Sequence, residues 1–191
     1  DVQYVFQNNL IKNPSWNSAK QFFSEVLNPS TVNGYYQPLA MISLMIDVAL
    51  GGSQSNIYVF HITSLCIHIL NSFLVLLLLY LMFEKTWIAF AGGILFGIHP
   101  VSIEEIAWIS ERKSILATLF LLLAMILYII YVKSSHKRYL VTSIFAFTFA
   151  LLSKPIAVSL PIILLLLDYF WYKRVTLLTL IEKVPYFILA A

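Results

Sequence analysis

Two long runs without a single Asp, Glu, Lys or Arg, Ile57 to Phe83 and Ser114 to Val132, set the limits on what this chain can become. A helix needs roughly 20 such residues to cross about 30 Å of hydrocarbon, and both runs suffice. Trp87 to Ile98 is shorter and spans only if the apolar residues flanking His99 and Pro100 sit near the interface. Tyr139 to Leu152 and Ile156 to Tyr172, divided by Ser153, Lys154 and Pro155, read as a tight transmembrane hairpin, and Val184 to Ala191 begins a further span. The chain is 60% hydrophobic and 11% charged, against about 45–50% and 25% in soluble domains. One soluble core cannot hide that much apolar surface, so a disordered chain, a collagen-like fibre and a water-soluble enzyme are poor fits. The fold class expected is all-α: a polytopic transmembrane helix bundle.

Residues 1–56 differ from the rest. They are rich in Asn, Gln, Ser and aromatics and are broken by Pro14, Pro29, Gly34, Pro38, Gly51 and Gly52, which reads as an external loop with short interfacial helices. Ser18 to Leu27 and Pro38 to Leu50 are the helical candidates, the second carrying Asp47. Residues 57–191 then form the bundle, with about five spans and the start of another. No basic n-region followed by an apolar run opens the chain, and the expectation is a chain cut at both ends. Lys and Arg collect in cytoplasmic loops. Alternate loops hold Lys85, then Lys133, Lys137 and Arg138, then Lys173 and Arg174. That puts the N-terminal segment, the loop from His99 to Lys113 and the Ser153–Pro155 turn outside. Thr176 to Lys183 reads as an amphipathic helix on the inner surface.

The single cysteine, Cys66, allows no intrachain disulfide and no thiolate cluster. The net charge of +3 is small and scattered, and argues for no nucleic-acid partner. The scarce polar residues are therefore the informative ones. The loop from His99 to Lys113 is the densest polar cluster; Ser102 and Glu105 fit a capping box, and Glu104, Trp108 and Glu111 would share a face of the helix it starts. Arg112 and Lys113 at the mouth of the next span suit a phosphate, Arg by its fork and Lys as a point charge. Alternatively they snorkel and pair with Glu111 as interface anchors. Lys154 follows a short span of about 21 Å at 1.5 Å per residue, so it can lie below the surface beside an anion such as a lipid phosphate, or snorkel. His61, Ser64, His68 and Asn71 share one helix face, toward a cavity or toward interhelical hydrogen bonds. His61 and His68 are about 10 Å apart by helix rise and cannot share an ion unaided; a metal completed by His99 and Glu104 is only weakly signalled. Asp168 reads as a structural carboxylate near Lys173 and Arg174.

Taken in order, Asp1-Val-Gln-Tyr4 through Asn9, Tyr35-Tyr36-Gln37-Pro38-Leu39, Gly51, His61 to Asn71, His99-Pro100-Val101 with Glu104, Glu111-Arg112-Lys113, and Leu152-Ser153-Lys154 followed by Leu167-Asp168-Tyr169 form a recognisable set. The set resembles the transmembrane part of the transmembrane and tetratricopeptide-repeat O-mannosyltransferase family and its bacterial relatives. These are GT-C glycosyltransferases that depend on polyprenyl phosphate. The resemblance implies an integral-membrane enzyme of the bacterial cytoplasmic membrane or the endoplasmic reticulum, its site facing outside or lumen. It would move a sugar, mannose or similar, from a polyprenyl-phosphate donor to a hydroxyl of a protein or glycan. It further implies Asp1 as the surviving member of an acidic pair and candidate base. Arg112, Lys113 and Lys154 would meet the donor phosphate, and His99, Glu104, Tyr36 and His61 would line the sugar or acceptor pocket. The ligand it implies is the lipid-linked donor, a polyprenyl-phosphate monosaccharide; a divalent metal stays open, without support from the residues. A tetratricopeptide-repeat domain would be missing. Gln37 stands where the family often has Arg, and Ser114 where Asp or Asn often follows the basic residue. Those departures keep a non-catalytic scaffold or assembly subunit as the alternative.

Overall fold

The computed structural model describes residues 2–26, 36–174 and 176–191. After a π-helical turn at Val2–Phe6 come three short helices, α1 (Asn9–Lys12), α2 (Trp16–Ser24) and α3 (Pro38–Ala49). Then come α4 (Tyr58–Phe83), α5 (Thr86–Ile98), the short α6 (Pro100–Ala107), α7 (Arg112–Ser134) and α8 (Lys137–Ser153). The chain closes with α9 (Leu160–Leu166), α10 (Leu177–Ile181) and α11 (Val184–Ala190). Among the described residues there is no strand, and the fold is an all-α bundle.

Local chemistry sets the short helices. Asn8 caps α1 by accepting from the Leu10 amide at 2.9 Å, and Ser15 caps α2 by accepting from the Ser18 amide at 3.0 Å. Pro38 opens α3, where its missing N–H costs nothing. Tyr4, Val5, Ile11, Phe22, Met41 and Leu44 pack with Phe60 of α4 and Ile109. The N-terminal segment is thereby seated on one end of the bundle. A Cβ on Gly52 would stand 2.8 Å from both the Asp47 carbonyl oxygen and the Phe60 ring, so only glycine lets the chain turn from α3 into α4.

Among the described residues, three helical stretches are long and apolar enough to cross a membrane: Tyr58–Phe83, Ile109–Ser134 and Pro155–Tyr172. A fourth is counted if α5 and α6, bent by 49°, form one span. Pro100 explains the bend, because it holds His99 extended and removes an amide from the helix ladder. By length and apolarity the described helices thus offer three or four spans, where about five are expected. With 17 residues, α8 covers about 26 Å. The stretch after Lys154 is a relay of a 3-10 turn at Pro155–Ser159, α9 and a π-helical turn at Leu167–Tyr172, broken by Pro155 and Pro161. The expected capping box at Ser102 does not form either. The helix already starts at Pro100, where the His99 ring accepts from the Val101 amide at 3.3 Å, and Ser102 instead donates to the Phe96 carbonyl at 3.2 Å. Because α6 stops at Ala107, Glu104 shares no helix face with Trp108 and Glu111.

Antiparallel pairing sorts the loops by end. Glu84, Ser135 and Lys173 close their helices in the left-handed region, at φ 56°, 58° and 50°, and all three lie at one end. There Lys133 meets Glu84 at 2.8 Å, and the Trp171 indole donates to the Met82 carbonyl at 3.1 Å. The opposite end gathers the N-terminal helices, α6 and the Ser153–Pro155 turn. Outward-facing Ile62, Ile69 and Phe73 of α4 and Phe90, Ile94 and Leu95 of α5 are exposed, which suits a lipid solvent.

Candidate functional site

The polar end of the bundle is organised by Arg112, the first residue of α7. Its guanidinium is fully buried. One nitrogen donates to Asp47 Oδ2 and to the Phe60 carbonyl, both at 2.7 Å; the others donate to Ser43 Oγ at 2.9 Å and Ser64 Oγ at 3.1 Å. Thr63 completes the Asp47 carboxylate, donating to Oδ1 at 2.8 Å. Burial pushes the Asp47 carboxyl up, while Arg112 and Thr63 pull it back. This corrects the expectation for Arg112. The fork that would grip a phosphate ties α3, α4 and α7 together, because a charge enclosed this deeply must have its partners within the protein.

Beside it lies a charged cluster that stays open. Glu111 Oε1 is 3.4 Å from Lys113 Nζ, and Oε2 is 3.3 Å from Lys154 Nζ. Ser114 joins the pair, accepting from Lys154 at 2.5 Å and donating to Glu111. The Lys113, Glu111 and Lys154 side chains are 19%, 20% and 30% exposed, so solvent-borne groups can reach them. Lys113 also lies 5.5 Å from the centre of the Tyr4 ring, which brings the first helical turn onto the cluster. Two ammonium groups beside a partly exposed carboxylate are donors that can also hold an oxyanion.

The structure brings Lys113 and Lys154 together around Glu111 and gives the other described candidates other partners. Asp1 lies outside the described residues. Tyr36 donates to the Phe23 carbonyl at 3.0 Å and pins α2 to the start of α3. His61 Nδ1 is 3.5 Å from the Ile106 carbonyl. His99 and Glu104 are exposed, His99 acting as the cap of α6. It is the neighbouring Glu105, half-buried, that comes within electrostatic reach of Lys154, Glu111 and His68. Glu105 and Glu111 were missed as site residues; with α6 starting at Pro100, it is Glu105 whose face turns inward. On α4 the polar face is spent on neighbouring helices: His68 Nε2 is 3.1 Å from the Gly97 carbonyl, and Asn71 donates to the Ile115 carbonyl at 3.0 Å. Among the described residues no three His, Cys, Asp or Glu side chains converge as a metal would require.

At the opposite end a second ionic cluster is closed. Asp168 pairs with Lys183, and Tyr128 donates to its Oδ2 at 2.6 Å. Lys183 also donates to the Tyr128 hydroxyl. Asp168, the expected structural carboxylate, takes its cation from beyond α10, while Arg174 turns to Glu182 at 3.3 Å. The expected surface helix thus shrinks to Leu177–Ile181, with Leu177 and Leu178 exposed and Lys183 buried.

Comparison with known proteins gives matches over part of the chain. It is 33% identical over 114 residues to the protein O-mannosyl-transferase TMTC1 of Mus musculus, which is 58% of this chain and 12% of that protein. The TMTC1 of Homo sapiens is 29% identical over the same shares. The protein O-mannosyl-transferase Tmtc2 of Drosophila melanogaster is 25% identical over 111 residues, again 58% of this chain and 12% of the relative. This chain thus covers only 12% of the length of these curated relatives. Their names are those of the family that the ordered motifs resemble. No family model matches the chain, and no solved structure does.

Proposed function

We propose that this chain forms the donor-holding part of a membrane glycosyltransferase that moves mannose or a similar sugar from a polyprenyl-phosphate carrier to a hydroxyl of a protein or glycan acceptor. One observation carries the reading: Lys113 and Lys154 flank a single carboxylate at the end of the bundle where the N-terminal segment, α6 and the Ser153–Pro155 turn meet. In the reaction the acceptor hydroxyl attacks the anomeric carbon with inversion, its proton passes to a carboxylate, and the carbon–oxygen bond to the lipid phosphate breaks. The leaving phosphate gains negative charge as that bond breaks, so fixed ammonium groups beside it lower the barrier. Asp1 is the candidate base, and Tyr4, three residues on, packs against Lys113. The site faces the outer or lumenal side of a bacterial cytoplasmic or endoplasmic reticulum membrane, with the Lys85, Lys133 and Lys173 loops inside. Arg112 acts through the scaffold rather than on the donor.

The test is sugar transfer from radiolabelled polyprenyl-phosphate mannose by the full-length protein in proteoliposomes. K113A and K154A should each lower turnover about 100-fold, the scale of losing one transition-state charge partner, without changing the melting temperature. Full turnover in the K113A/K154A double variant would overturn the phosphate role. D1N should abolish transfer and leave donor binding measurable; transfer that survives in D1N removes Asp1 as the base.

A further inference from the structure

We infer that Glu111 occupies this protein's own oxyanion cradle, and that an incoming phosphate takes the place of its carboxylate among Lys113, Lys154, Ser114 and the Tyr4 hydroxyl. The inference rests on the reading of this cluster as the donor-phosphate site and adds how that site is filled and emptied.

Geometry carries the argument. The two Glu111 oxygens reach in different directions, one to Lys113 at 3.4 Å and the other to Lys154 at 3.3 Å, and Ser114 donates to the second. Those three groups are what a phosphate oxygen face would use: two ammonium groups and a hydroxyl. The two ion pairs are longer than the 2.7 Å contact of Arg112 with Asp47. They also remain partly exposed, which lets them be exchanged where the buried pair cannot be. Tyr4 supplies the second, independent sign. Its side chain is 8% exposed, yet its hydroxyl is enclosed and has no hydrogen-bond partner. A buried hydroxyl without a partner costs free energy unless something fills the position. Burial, and after it the nearby Glu111 carboxylate, push the Tyr4 phenol well above its ordinary range, so it stays protonated and available to donate. Glu105 lies within electrostatic reach of Lys154 and Glu111.

The exchange has a functional meaning. A cradle with two bare lysines would hold the spent lipid phosphate, which carries more charge than the donor diester, too tightly for turnover. An internal carboxylate competes with that product and speeds its release. Ligand chemistry alone does not separate a lipid phosphate from free inorganic phosphate, and the experiment must.

Equilibrium binding of polyprenyl monophosphate, and separately of inorganic phosphate, is measured with the full-length protein in nanodiscs of neutral lipid. E111Q should bind polyprenyl monophosphate about tenfold tighter than wild type, the order expected when a charged competitor is removed from a hydrogen-bonded site. Its product release should slow in single-turnover measurements. Y4F should bind about tenfold more weakly, the order of losing one hydrogen bond to a charged group, with an unchanged melting temperature. If E111Q binds no tighter than wild type, or as weakly as K154A, Glu111 is a positioning residue for the lysines and the inference is overturned. If Y4F binds like wild type, the phenol is not a ligand and the four-membered cradle is wrong. Should E111Q tighten inorganic phosphate alone, while no variant binds the lipid phosphate, the self-occupied anion site stands and the lipid-donor reading falls.

Discussion

Arg112 and Asp47 lie 65 positions apart in the chain, one in a charged run and the other in an apolar helix, yet they meet at 2.7 Å with side chains 0% and 1% exposed. Removing one partner strands the other charge where water cannot reach it. R112A should therefore lower stability by about 3–5 kcal/mol, and R112M/D47L, which removes both charges, should recover most of that loss. Thermal unfolding of the purified protein in detergent reads both variants; a double variant as unstable as R112A would show that the hydrogen bonds to Ser43, Ser64 and Phe60, rather than the charge, hold the junction. The pairing was within reach of the sequence, since an aspartate in an apolar helix needs a cation from elsewhere. Adjacency along the chain suggests Lys113 as the companion of Arg112 instead, because adjacency hides direction. At the start of α7 successive side chains point about 100° apart, so one enters the bundle and the next faces the cluster. The same rotation separates Glu104, exposed, from Glu105, turned toward Lys154.

The long helices were legible as elements because the apolar runs and the helices coincide: Ile57 to Phe83 against α4, and Ser114 to Val132 within α7. Their closeness was less so. A Cβ on Gly93 would stand 3.0 Å from the Leu76 Cβ and 3.3 Å from the Ser72 carbonyl oxygen, so α5 lies on α4 at a separation only a small residue allows. G93L should push the two helices apart and cost about 1–3 kcal/mol by overpacking; G93A, which asks its neighbours to shift by a few tenths of an ångström, should cost less. The order of the two melting temperatures checks this, and equal values would mean that α5 is free to move aside. At the far end α11 is held by the burial of Lys183 against Asp168 and Tyr128, and by Tyr186, whose hydroxyl bonds to Ser143 at 2.7 Å. K183M should leave Asp168 without its cation and loosen this docking. Hydrogen exchange would then quicken over Val184–Ala190 while α7 stays protected; unchanged exchange would assign the docking to Tyr186.

Across the whole molecule, charge and topology agree in a way no single loop shows. Antiparallel helices place Glu84, Lys133 and Lys173 at one end and the Lys113–Lys154 cluster at the other, and the basic loops read from the sequence all fall at the first end. If lysine and arginine bias sets orientation, that first end faces the cytoplasm and the cluster faces away from it. A cysteine test separates the sorting from its direction. Cys66 is exposed and is first replaced by C66S. Single cysteines are then introduced by K85C and K137C at one end, or by H99C and E104C at the other, all at exposed positions. A membrane-impermeant maleimide applied to sealed membranes should modify the H99C and E104C proteins from the outer or lumenal side, and the K85C and K137C proteins only after permeabilisation. The opposite pattern would invert the orientation and put the Lys113–Lys154 cluster on the cytoplasmic side, where the proposed donor would have to be presented. Labelling that divides K85C from K137C would instead break the topology, since both loops can share an end only if α4, α5, α7 and α8 alternate in direction.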